Sequence, residues 1–200
     1  MSIPDKIAAA TSIIFSPFLV PIATILLIVQ RYAVTGLQAF LWATIVILFA
    51  SLIPVIFIFI LFCLGRVDDL HLAVKEQRIS PLLFSMVSAL IGAGILYLSN
   101  APQEIIWAVM AYVVNGVVFT GITPVWKISF HTGVSAGCVT VLMFLMHAKF
   151  GWLFLLIPLI AWARIHRKRH TPLQTTIGAL VAVVSTSVVL QLLLTKSYWL

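Results

Sequence analysis

Arg164, five residues, His170, three residues, Gln174: this run holds the side-chain types that handle phosphate. A guanidinium grips phosphate oxygens in pairs, and a cationic and imidazole cluster at a helix N-terminus is an anion site. The surrounding stretch, Ala163–Gly178 (ARIHRKRHTPLQTTIG), contains four of the twelve Lys and Arg residues and two of the five His. His170 stands one residue before a helix-start signal, with Thr171 as N-cap, Pro172 at the first helical position and Gln174 three residues after the cap. The free amides and dipole of such a start favour an anion. Lys75, Arg78, Lys127 and His131 lie near the ends of other apolar segments. Converging with Arg164 and His170, they would form a strongly positive pocket at headgroup depth. For Arg167, Lys168 and Arg169 the expected role is plainer, as anchors for anionic lipid.

The elements that must position these residues are membrane helices. The chain of 200 residues is 62% hydrophobic and 8% charged, where a soluble domain is about 25% charged. At roughly 17–25 residues per span, the apolar segments predict seven helices, near 11–29, 38–64, 82–98, 104–122, 131–147, 149–165 and 173–194. The expectation is an all-α, polytopic membrane protein forming a single domain over 1–200. Pro17 and Pro21 predict a kinked or broken first span, and Pro54 interrupts the second. The sixth is the weakest, since its purely apolar core, Phe150–Ala163, is short and must extend to Arg164 by snorkelling. Cys63 and Cys138 fall inside spans, as reduced packing residues. The net charge of +7 is spread over span ends, so no nucleic-acid footprint is expected. The start of the chain does not read as a cleavable leader, since its small residues Ala8–Ala10 precede the apolar region.

Two spans separate the 65–81 connection from 123–131, and two more separate that from 163–172. All three polar clusters are therefore expected on one membrane face. That face would carry nine of the twelve Lys and Arg, against Arg31, Lys149 and Lys196 opposite. The positive-inside rule puts it in the cytoplasm, with the N-terminus inside and the C-terminus outside.

The order of these motifs resembles the type 2 phosphatidic acid phosphatase superfamily over roughly residues 70–185. Arg164, His170 and Gln174, with Gly178 beyond, resemble the third motif, Ser-Arg, five residues, His, three residues, Asp. Ser129–Val134 (SFHTGV) stands where the family has Ser-Phe-Pro-Ser-Gly-His. Lys75, Arg78 and Pro81 stand where it has Lys, six residues, Arg-Pro. A small bacterial subgroup is the most similar, through Ser16–Pro21 and the late His-Thr-Pro-Leu-Gln, which implies a bacterial inner membrane.

The resemblance implies a metal-independent phosphatase that needs no cofactor and acts on a lipid or polyprenyl phosphate. His170 would be the nucleophile, Gln174 its orienting partner, and Arg164, Lys75, Arg78 and Lys127 the phosphate ligands. The chain departs from the pattern at three places. The orienting Asp is Gln174, the second-motif His is Val134, and the first motif is contracted. Losing a carboxylate behind a catalytic His costs on the order of 10⁴ in rate. His131, three residues before Val134, is the substitute acid. The alternative is a non-catalytic lipid-binding or accessory subunit of a larger membrane complex. Asp68-Asp69 would suit a magnesium-diphosphate prenyltransferase, but no second acidic pair follows. Haem or pigment ligation by the span-end His residues is the remaining class.

Overall fold

The computed structural model describes residues 2–69, 74 and 76–197, with side chains through Thr195. Its helices are α1 (Ile3–Ile14), α2 (Leu19–Tyr32), α3 (Gly36–Ile47), α4 (Ile53–Cys63), α5 (Ile79–Leu98), α6 (Gln103–Ile122), α7 (Phe130–Leu145), α8 (Leu156–His166) and α9 (Pro172–Ser197). No strand occurs among the described residues. Five helical runs among the described residues are long and apolar enough to cross a membrane, or six if the bent α1–α2 pair is counted as one span. The protein is an all-α, polytopic integral membrane protein. The fifth predicted span, α7, has only 16 residues, about 24 Å at the α-helical rise, and so falls short of a roughly 30 Å hydrocarbon core.

The predicted break in the first span lies at Phe15–Phe18, where α1 and α2 meet at a 48° bend. Pro17 cannot donate, and Ser16 restarts the helix: its hydroxyl and carbonyl both accept the Leu19 amide. The helix also begins earlier than expected. Ser2 and Asp5 form a reciprocal capping box that starts α1 at Ile3.

The chain divides into two compact units, residues 25–127 and residues 1–24 with 128–200. In the first, α3 and α4 form one 28-residue run through a π turn at Leu48–Leu52. Pro54 explains the turn. It has no amide to give the Phe49 carbonyl five residues earlier, and Ser88 of α5 donates its hydroxyl there instead, at 2.6 Å. Gly92 makes that approach possible, since a Cβ there would sit 2.7 Å from Phe49 Cβ. Gly116 of α6 similarly admits the Met86 side chain of α5.

In the second unit α7 packs on α8 and α9, and α1 packs on α8. A 3₁₀ segment, Ala148–Leu155, precedes α8. Eight residues is long for this tighter winding, which rises about 2.0 Å per residue. With it, the 19-residue run 148–166 extends about 32 Å rather than about 28 Å. The 3₁₀ segment thus lengthens the sixth predicted span, whose Arg164 end is buried in the protein.

Candidate functional site

Arg164, His170, Gln174 and His131 all belong to the unit that contains α7, α8 and α9. Their spacing is built by two consecutive backbone motifs. At the end of α8 the Arg169 amide donates to Arg164 O (3.0 Å) and the Lys168 amide to Ile165 O (2.8 Å). This is a Schellman turn, and Lys168 takes its left-handed position with φ of 51°. His170 follows directly, and the capping box of α9 begins at the next residue. The turn separates α8 from α9, so His166 and His170 do not share one helix despite their four-residue spacing.

The predicted capping box is present. Thr171 Oγ1 accepts the Gln174 amide (3.3 Å), and Gln174 Oε1 accepts the Thr171 amide (3.1 Å). Gln174 Oε1 also lies 3.2 Å from His170 Nδ1. The backbone donor identifies this amide atom as the oxygen, which can only accept. Nδ1 of His170 must then carry a proton, and in the neutral imidazole Nε2 holds the lone pair. The chain contains an internal control. Thr35 and Gln38 make the same box at the start of α3, where Gln38 Oε1 accepts the amides of Val34 and Thr35. At α9 an imidazole replaces the backbone donor of the residue before the cap.

His131, in the first turn of α7, reaches the same end of the unit because α7 and α9 touch backbone to backbone. The Ser129 amide donates to Gln174 O (3.3 Å), and Thr132 Oγ1 donates to Thr175 O (2.8 Å). Gly178 is required for this contact: a Cβ there would lie 2.7 Å from Ser129 O. Arg164, His131 and His170 are 5–8% exposed. A basic and imidazole set so withdrawn from water binds anions more strongly than an exposed one. In the sequence the α7–α9 crossing, through Ser129–Gln174 and Thr132–Thr175, is signalled only by small and hydroxyl residues at positions 129, 132, 175 and 178.

The expected phosphate ligands divide between the units. Arg78 is buried at the start of α5, and Lys127 ends the 25–127 unit. The connection before Arg78 is closed by Asp68 and Gln77, whose side chains and backbone exchange two hydrogen bonds of 2.9 and 3.1 Å. Lys75 lies outside the described residues, as does His71. His147 caps the 3₁₀ segment at the far end of α7, accepting the Lys149 amide. Among the described residues, no three His, Cys, Asp or Glu side chains gather as a metal ion would require. Compared with protein-family models, with curated proteins and with solved structures, the chain matches none.

Proposed function

We propose that this protein binds a lipid or isoprenoid phosphate in the membrane and hydrolyses its phosphomonoester without a metal, with His170 as nucleophile. The observation that carries this reading is the His170 Nδ1–Gln174 Oε1 contact. It puts the proton of a neutral imidazole on Nδ1, in a unit that also buries Arg164 and His131. Nε2 attacks phosphorus, the bond to the lipid oxygen breaks, and protonated His131 supplies the leaving alcohol's proton. Water then attacks the phosphohistidine, giving its proton to His131 and releasing phosphate. Within this unit Arg164 is the proposed phosphate ligand, and Lys75, Arg78 and Lys127 are added to it on the sequence resemblance alone. The face carrying them is assigned to the cytoplasm, on the charge asymmetry of the sequence.

A second reading has its own support. Gln174 is fully explained by capping, and its neutral amide cannot stabilise an imidazolium by charge. A protein with this site that only binds lipid phosphate would be an accessory subunit of a membrane complex. Purified protein assayed against a panel of lipid and polyprenyl phosphates, with and without EDTA, separates the two. Phosphate release that survives EDTA and is lost in His170→Ala supports the enzyme. Binding of the same lipids with no release beyond the His170→Ala background supports the accessory.

A further inference from the structure

The N-terminal helix is tied to the end of α8 by a contact outside the phosphate-binding set. His166 Nε2 lies 2.9 Å from Asp5 Oδ1. A carboxylate only accepts, so Nε2 is the donor. The other oxygen, Asp5 Oδ2, accepts the Ser2 amide at 2.9 Å, while the Asp5 amide donates to Ser2 Oγ. One carboxylate therefore both starts α1 and docks it. The ring of His166 is fixed from the other side by stacking on Trp162, one turn earlier, at a centroid distance of 5.3 Å. Ala8, Thr11 and Ser12 are the buried positions of α1, which packs along α8.

Two further features give this contact mechanical meaning. The chain after α1 is broken at Phe15–Phe18 around Pro17, so α1 is joined to α2 by a hinge rather than by continuous helix. His166 is also the last residue of α8, inside the Schellman turn whose hydrogen bonds run from Arg164 to Arg169. Force applied to His166 acts on the segment that spaces Arg164 from His170.

We propose that α1 is a strap, hinged at Pro17 and closed by the Asp5–His166 pair, that positions the Arg164–His170 turn. Asp5 and His166 are positioning residues and touch no phosphate. The strap stands on the observed geometry, whereas its effect on catalysis rests on the phosphatase reading above.

The test uses full-length protein in nanodiscs, with Cys63→Ser and Cys138→Ala and spin labels at Ile3→Cys and Leu159→Cys. Electron–electron double resonance should give one narrow distance distribution. Asp5→Ala or His166→Ala should broaden it or add a longer distance, and His166→Gln, which keeps a donor, should restore the narrow one. Unchanged distributions in both alanine variants would overturn the strap. Hydrolysis of phosphatidate is measured on the same samples without labels. A fall of about 10-fold or more in His166→Ala, with recovery in His166→Gln, is expected of a displaced turn. Broadened distances with unchanged hydrolysis would overturn the positioning role. If the parent protein hydrolyses no lipid phosphate at all, the phosphatase reading fails while the distances still decide the strap.

Discussion

At the scale of single residues, the pair of Thr-x-x-Gln boxes offers a direct comparison. Gln38→Ala and Gln174→Ala each remove the reciprocal half of the box and leave the Thr N-cap in place, and each should lower stability by a similar amount, read by thermal unfolding in detergent. Only Gln174→Ala should also release the imidazole of His170. Nitrogen NMR of labelled histidine should then show the Nδ1-protonated form replaced by a mixture of tautomers. Gln174→Asp is the complementary change. Its carboxylate can accept both the Thr171 amide and Nδ1, and it adds the charge the amide lacks. Phosphatidate turnover should rise about 10-fold or more, by the reasoning that applies to triads. No change in turnover would assign Gln174 to capping alone. This residue shows how much of the site was legible beforehand. The cap could be read from Thr171, Pro172 and Gln174, because capping is local. The second acceptor role of Gln174 could not, because it depends on where the His170 ring turns.

At the scale of elements, three helices end in the same hydrogen-bond pattern with different residues in the left-handed position. They are Gly65 after α4, Asn100 after α5 and Lys168 after α8, with φ of 66°, 54° and 51°. Glycine bears no steric cost there, and asparagine bears little. Lys168 has neither excuse. Lys168→Gly should therefore raise the unfolding temperature, by a gain of up to about 1 kcal/mol, while leaving hydrolysis intact. Lys168→Val should do the reverse. Glycines that permit helix contact should also differ among themselves. Gly178→Ala drives a Cβ against backbone oxygen and should cost about 1–3 kcal/mol. Gly116→Ala meets only the flexible Met86 side chain, 2.9 Å away at Cγ, and should cost less. The helices themselves were predictable from apolar length, and so was the break near Pro17. The π turn and the 3₁₀ segment were not, since both settle where a missing amide or a short span is accommodated by neighbours. Ser88, which supplies the hydroxyl that Pro54 requires, lies 39 positions from its acceptor.

At the scale of the whole molecule, the first 24 residues share a compact unit with the last third of the chain. This return is not legible in the sequence, because apolar periodicity says which faces are buried and not against what. The proposed orientation is tested by labelling from outside intact cells, in a Cys63→Ser background. A cysteine at Ser197 should react with an impermeant maleimide, and one at Ile3 should be spared. The opposite pattern would put the basic face outside the cell.

The 3₁₀ segment before α8 has a consequence of a different kind. Rewinding Ala148–Leu155 as α-helix would shorten the 148–166 run by about 4 Å. We therefore expect that span to match thin and thick bilayers by changing pitch, whereas an ordinary α-helical span must tilt or deform the lipid. Arg164 and the turn behind it sit at its far end and would move with it. Under the proposed function, lipid chain length would then be an input to the reaction. Activity reconstituted in a series of phosphatidylcholines should peak at one thickness and fall on both sides. Amide infrared spectra of protein labelled with ¹³C carbonyls in this segment should lose their 3₁₀ signature as the bilayer thins.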